Sequence, residues 1–340
     1  MKPFVLLFLG VALLAACRKD DVIVCDPVVA PSSFADIRAA APAVQRFTFN
    51  LAQAQSLLTS KGTRLAFGPN VFYLPNNTLA TGQAELRIRE VFTVGDMLLT
   101  DMPTTTGSPF GSYRFGNPFS GQVLISGGEF NIQVWQGNNR LRFATFASPA
   151  NGVSGFMLAS PVPAAGLDTT RMLLWNQPAT AWGSIARDTA GWQRVFYPTA
   201  IGFGPQIPVA TAAGNFSVVL PLDSLGNWNL DQLWHAYQGA SSGPIGVEVP
   251  LSTSATATRV YVRPVGFNGL ARCGYTNFGT GSRWYCLLPY GAAVIAVVLQ
   301  ERGGVLYYGT QRTTTAANLV ITPPLEAVSA AEAVRRIRLL

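Results

Sequence analysis

Catalysis in this chain would have to start from its acids. There are 17 Asp and Glu residues among 340, and a single histidine, His235. A glycoside hydrolase needs two carboxylates about 5–10 Å apart. Asp96, Asp101, Glu129 and Asp231 are candidates for such a pair, and each reads equally well as a turn acid. His235 limits Ser–His, Cys–His and His-based metal chemistry to one position. No G-x-S-x-G is present, because "GVSGF" at 152–156 has the wrong spacing. There is no H-E-x-x-H, no P-loop and no G-x-G-x-x-G opening a helix, and "GFGPQ" at 202–206 lacks the third glycine. The one adjacent acid pair, Asp20-Asp21, stands near the N-terminus rather than in a ligand series. The expectation is therefore no catalytic residue, no metal and no cofactor. Trp135, Trp175, Trp182, Trp192, Trp228, Trp234 and Trp284 offer either sugar-stacking platforms or core packing.

The cysteines carry the other chemistry: Cys17, Cys25, Cys273 and Cys286. Lys2 precedes an apolar run, Phe4–Ala16, which is shorter than the ~20 residues that span a bilayer. No later run is as long; Ala292–Leu299 is strand-sized. Residues 1–16 read as a signal peptide, and no transmembrane helix is expected. Leu14-Ala15-Ala16-Cys17 resembles the lipobox of bacterial lipoproteins. That resemblance implies cleavage before Cys17, diacylation of its thiol and acylation of the new amine. Two or more acyl chains anchor stably where one does not. Loss of Lys2 with the leader lowers the formal charge from +7 to +6. Lys19-Asp20-Asp21 resembles the Lys-acid-acid signal that exports some bacterial lipoproteins across the outer membrane. The expected place is the cell surface, held to outer-membrane lipid through acylated Cys17. In such an oxidising compartment, Cys273 and Cys286 flank a Gly-rich, hairpin-like "GYTNFGTGSRWY" and suit a disulfide, two buried thiols being the alternative. A bond closing that loop would stabilise the fold by about 3 kcal/mol. Cys25 reads as a free thiol.

The elements that must position these residues are mostly β. The chain is 49% apolar and only 12% charged, enough to bury a large core. Arginine carries nearly all the positive charge and is spread singly along strands, apart from Arg335-Arg336. This reads as solvated strand faces and not as a nucleic-acid surface. Short alternating runs bounded by Gly, Pro and Asn predict strands at 46–50, 63–67, 71–74, 84–92, 121–126, 129–135 and 140–147. In "ELRIREV" Leu86 and Ile88 alternate with Glu85, Arg87 and Arg89, and the pattern breaks at Glu90, suggesting a bulge. "QGNNR" at 136–140 reads as a hairpin turn, and so does "ERGG" at 301–304. "NWNLDQLWHAYQ" at 227–238 reads as a turn or short helix. A short helix is also expected around Phe34–Ala40. After Pro324, Leu325, Val328, Ala331, Val334 and Ile337 recur near helical spacing, which predicts a terminal amphipathic helix with Pro324 in its first turn. The resulting division is a signal peptide (1–16), lipidated tether (17–44), β-sandwich (45–148), β-rich connection (149–245), C-terminal β-domain (246–322) and terminal helix (323–340).

One order of residues is more specific. It comprises Gly62-Thr63, Pro69 and Phe72, then Glu90, Asp96-Met97, Pro103-Thr104, Gly127-Gly128 and Phe130. It resembles a ZU5-like β-sandwich module of bacterial surface lipoproteins. Residues 215–237 and the chain from 245 onward resemble the middle and C-terminal β-domain of such proteins, although Asn227 interrupts the G-W-x-N-x-D form. Some ZU5 proteins cleave themselves at His-Phe-Ser or His-Phe-Pro, a tripeptide lacking here, where Ala236 follows His235. The resemblance implies a mostly-β, antiparallel sandwich with a second β-domain and a terminal helix. The chemistry-poor composition points to a non-catalytic surface scaffold or adhesion/binding module with an envelope-protein or glycan partner. A glycan-binding accessory lipoprotein is the alternative, and a glycoside hydrolase a weaker one.

Overall fold

Strict alternation of apolar and polar residues produces the first sheet. Its strands are β1 (Gln45–Asn50), β2 (Gln83–Val91), β3 (Leu124–Gln136), β4 (Asn139–Arg140), β5 (Leu173–Gln177), β6 (Gln193–Arg194) and β7 (Asn227–Leu233). They pair antiparallel in the order β1-β2-β3-β7-β5-β6, with β4 folded back on β3. The computed structural model describes residues 31–106, 121–143, 156–161, 167, 171–177, 191–194, 196–199, 202–205, 209–210, 215–220, 225–234, 241–249, 257–275 and 283–340. A second sheet runs Val209–Ala210, Asn215–Leu220, Phe156–Pro161, Arg64–Phe67, Gln55–Leu58. Leu86, Ile88, Ile132 and Trp228 of the first sheet pack on Leu65, Phe67 and Phe156 of the second, completing a sandwich. Phe67 and Phe156 stack with centroids 5.2 Å apart. Burial of these apolar faces is what holds the layers together.

The C-terminal half repeats the arrangement. Thr258–Pro264, Ala293–Arg302 and Val305–Thr314 centre a five-stranded sheet, and Ser242–Glu248 and Arg283–Pro289 centre a four-stranded one. Ile245, Val247 and Leu288 meet Val260, Val262 and Val298 between them. A Cys273–Cys286 disulfide lies in this core beside the hairpin of Gly274–Tyr275 and Arg283–Pro289. A third core lies between the outer face of the first sheet, the five-stranded sheet and three short helices: α1 (Phe34–Ala39), α2 (Val94–Thr100) and α3 (Ala330–Arg338). Ile37, Met97, Leu98 and Ile337 are its helical contributors. Each helix is capped by a hydroxyl, from Ser33, Thr93 or Ser329, that accepts the N–H three residues on.

Several elements differ from the sequence expectation. Residues 227–233 form β7, a strand inside the sheet, and not a turn or helix. Trp228 and Leu230 face the sandwich core while Asn227, Asn229 and Asp231 face the other side, and both sides are buried. Glu90 causes no bulge, because β2 pairs with β3 without a register break through Val91↔Glu129. Glu90 keeps the period and points inward, where Thr59 and Gln45 donate to its carboxylate at 2.9 and 2.6 Å. The bulge sits instead at Gly127-Gly128, where β3 spends an extra residue against Asn229–Asp231. The terminal helix begins at Ala330, because Glu326–Val328 pair as a strand with Val305–Thr314 and leave Pro324 outside it. Strands on both sides of position 148 share both sandwich sheets: Phe156–Pro161, Leu173–Gln177, Asn215–Leu220 and Asn227–Leu233 are strands of the sandwich and not of a separate connection. The expected tether does not reach residue 44, because Ser32 N–H donates to the Gly304 carbonyl and Ile37 of α1 is buried in the third core.

Candidate functional site

Alternation places one row of side chains on the outer face of the first sheet. Across the strands it holds Arg46 of β1, Arg87 and Arg89 of β2, Gln133 and Asn131 of β3, and Asn227 of β7. Here Arg46 lies opposite Arg87, Arg87 opposite Gln133, and Arg89 opposite Asn131. Arg140, from the β4 turn-back, closes the row. Val44, Arg46, Arg87, Arg89, Asn131, Gln133 and Arg140 line a groove of about 290 Å³. The arginines therefore do not stay single: the sheet gathers four of them into one groove, contrary to the reading of dispersed solvated faces.

The groove's hydrogen bonding is asymmetric. Glu85 takes Arg46 at 2.8 Å and Arg87 at 2.5 Å, and the hydrogen bond from Arg87 holds its carboxyl below the usual range. Arg87 also stacks over Trp135, 4.9 Å from the ring centroid. Arg140 donates to the Leu225 carbonyl at 2.8 Å. Arg89 Nε is buried and has no hydrogen-bond partner among the described residues. Burial pulls the pKa of Arg89 and Arg140 down from the ordinary arginine value. The amides run head to tail: Trp135 Nε1 donates to Gln133 Oε1, Gln133 Nε2 to Asn131 Oδ1, and Asn131 Nδ2 to Asn227 Oδ1 at 2.6 Å. Each amide oxygen thus accepts one bond and keeps a second lone pair, while each NH₂ retains a second hydrogen. With four arginines beside these amides, donors outnumber acceptors in the groove.

Further along the same face, toward α2, lies an acidic cluster. Glu129 and Asp231 are both fully buried, joined by Asn229. Asn229 Nδ2 donates to Glu129 Oε1 at 3.5 Å and to Asp231 Oδ2. The Ser126 hydroxyl donates to Asn229 Oδ1 at 3.0 Å, and Gly128 N–H donates to Ser126 Oγ at 3.0 Å. The Gly127-Gly128 bulge makes this possible. Gly128 has φ +145°, and a Cβ there would lie 2.7 Å from the Phe92 ring. Glu129 Oε2 and Asp231 Oδ1 make no hydrogen bond among the described residues. Burial pushes both carboxyls well above the carboxylate range, and for Glu129 the neighbouring Asp231 and Asp96 charges add to it.

The four acids put forward for hydrolysis divide accordingly. Glu129 and Asp231 do come together, but sealed within the protein. Asp96 lies in the first turn of α2 and meets Lys61 at 3.5 Å. Asp101 ends that helix in the left-handed region and binds Arg38 (2.9 Å), Arg272 (3.2 Å), Arg259 (3.5 Å) and the Tyr261 hydroxyl (2.6 Å). Burial pushes the Asp101 carboxyl up, and Arg272, Tyr261, Arg259 and Arg38 together bring it below its ordinary value. Trp175, Trp192, Trp228, Trp234 and Trp284 are buried, which among the described residues leaves Trp135, half-buried beside Arg87 and Gln133. Among the described residues no three His, Cys, Asp or Glu side chains gather to hold a metal. Cys17, Lys19, Asp20, Asp21, Cys25, Trp182 and His235 lie outside the described residues.

The groove was missed in the sequence because its members come from segments around 46, 88, 132 and 140, which only strand pairing unites. Comparison of the chain with models of known protein families and with curated proteins finds no match.

Proposed function

We propose that this chain is a lipid-anchored protein of the bacterial outer membrane, displayed at the cell surface, and that its β-sandwich is a non-catalytic binding module. The observation that carries the binding reading is the arginine–amide groove, an open set of donors on a rigid sheet. The contrast with the acids supports it. General acid–base chemistry needs a carboxyl within hydrogen-bond reach of a substrate. Glu129 and Asp231 are sealed away, and Asp101 is committed to three guanidiniums. The address rests on Leu14–Cys17 and Lys19-Asp20-Asp21, with a ZU5-like module as the proposed relationship.

The test is made in cells. Cys17→Ser is expected to abolish labelling by a palmitate analogue and to release the chain from the membrane fraction. Replacing Lys19, Asp20 and Asp21 by alanine is expected to protect it from protease added to whole cells. A purified full chain that fails to associate with isolated cell envelopes would defeat the binding reading.

A further inference from the structure

We propose that the groove between Arg46, Arg87, Arg89 and Arg140 binds an acidic saccharide unit, a sugar bearing a carboxylate or phosphate group, with Arg89 and Arg140 holding the oxyanion. This deepens, and rests on, the reading of the sandwich as a binding module. Four guanidiniums converge here against one carboxylate, Glu85. Glu85 sits on the Arg46–Arg87 side, while neither Arg89 nor Arg140 has an acidic partner among the described residues. Arg89 is held half-buried on a strand in the middle of the pairing, with Nε unpartnered, so its place is set before any ligand arrives. A partly buried guanidinium whose Nε lacks a partner is satisfied by an oxyanion, which accepts two parallel N–H bonds from the guanidinium fork.

The remaining surface selects what carries the oxyanion. Gln133 and Asn131 each keep an amide N–H and a carbonyl lone pair beyond the amide ladder. These suit ring and hydroxyl oxygens beside an acidic group. A cavity of about 290 Å³ sits at the small end of ligand sites, which run from about 300 to 1,000 Å³, and so suits one sugar unit and not a long segment. Outside the groove, Trp135 holds two of the lining side chains in place, through its bond to Gln133 and through Arg87 on its face.

The experiment is calorimetric titration of the purified full chain with glucuronate and with glucose 6-phosphate, using glucose as the neutral probe and phosphatidylglycerol vesicles as the alternative source of an oxyanion. At least one acidic sugar is expected to bind, at least tenfold more tightly than glucose, and to weaken on raising salt. The Arg89→Gln/Arg140→Gln variant is expected to lose about tenfold or more in that affinity. Arg312→Gln, an exposed arginine of the C-terminal sheet, should leave it unchanged. Arg89→Lys keeps the charge without the fork and is expected to fall between wild type and Arg89→Gln, which separates loss of the ligand contact from loss of the fold. Binding of glucose as tight as that of the acidic sugars, an Arg89→Gln/Arg140→Gln variant with wild-type affinity, or binding to vesicles alone would each overturn the proposal. If both acidic sugars fail while the chain still associates with isolated envelopes, the ligand class falls and the binding-module reading stands. Failure of envelope association removes that reading as well.

Discussion

Arg89 and Glu129 belong to the same face of one sheet and are one pairing step apart: Arg89 lies opposite Asn131, and Glu129 lies two residues further along β3, opposite Val91. Arg89 belongs to a groove, whereas Glu129 is covered by the third core. The groove half consists of cations with donors to spare. The covered half consists of acids with too few donors, joined by one amide. Strand alternation thus delivers polar side chains to both halves of one face, among apolar ones such as Val91 and Trp175 in the covered half. What covers that face decides whether they serve a ligand or become a cost to the fold. In the covered half the cost is concentrated at Asn229, the shared donor, and at the glycine bulge that makes room for it.

Asn229→Leu breaks the covered half most directly. Both buried carboxyls lose their common donor and Ser126 loses its acceptor. A destabilisation of about 3 kcal/mol is expected in urea denaturation. Asn131→Leu removes a neighbouring amide from the groove half, where water can replace it, and is expected to cost less than about 1 kcal/mol. Equal losses would erase the contrast. Gly128→Ala comes next, at about 2 kcal/mol, from a positive φ and a Cβ driven against the Phe92 ring. An unchanged midpoint would mean that Phe92 yields and the bulge tolerates a side chain.

A pH series sharpens the comparison with a smaller effect. Glu129 and Asp231 titrate higher in the folded protein than in the unfolded chain. Between those values the unfolded chain has released protons that the folded one retains. Their contribution is therefore fully present below the ordinary carboxylate range and is lost as pH rises through the folded value. Wild-type thermal midpoints should fall as pH is raised above about 5. Glu129→Gln/Asp231→Asn, which keeps shape and removes the titration, should flatten that decline. Asp101 is held low and works in the opposite direction: its contribution is lost as pH falls. For that reason the series belongs on the neutral and alkaline side. A wild-type curve as flat as that of the double substitution would show that the acids titrate normally.

Much of the fold could be read from the residues, and for physical reasons. Alternation from Glu85 to Arg89 yields β2 and the side each residue takes, because one face is fully apolar. Gly137-Asn138 and Gly303-Gly304 occur where strands reverse, and three of these four residues are glycines with positive φ. The terminal helix followed from its apolar spacing, though its start did not, because pairing of Glu326–Val328 with the neighbouring strand outweighs the local preference of Pro324. β7 eluded the pattern although N-W-N-L-D alternates perfectly. A buried strand is expected to be apolar on both sides, and here one buried side is Asn, Asn, Asp. The same residues are the covered half of the face, so the element hardest to read is the one that departs from ordinary core chemistry. The groove was illegible for another reason: Arg46 meets Arg87 through pairing across about 40 residues, and single-residue periodicity carries no register.

Glu85→Gln tests the groove half with the smallest expected change. Among the described residues Glu85 is the one acid paired with Arg46 and Arg87, and it lies at the edge of the face. Exposed ion pairs contribute little to folding, so the unfolding midpoint should not move. The electrostatic effect is different in kind. Removing one negative charge from a groove of four guanidiniums raises its attraction for an oxyanion and frees Arg46 and Arg87 to turn toward it. Affinity for the acidic sugar that binds should tighten by roughly twofold at low salt and return to the wild-type value at high salt. If affinity falls instead, Glu85 serves to orient Arg87 against Trp135, and the groove depends on that orientation more than on its net charge.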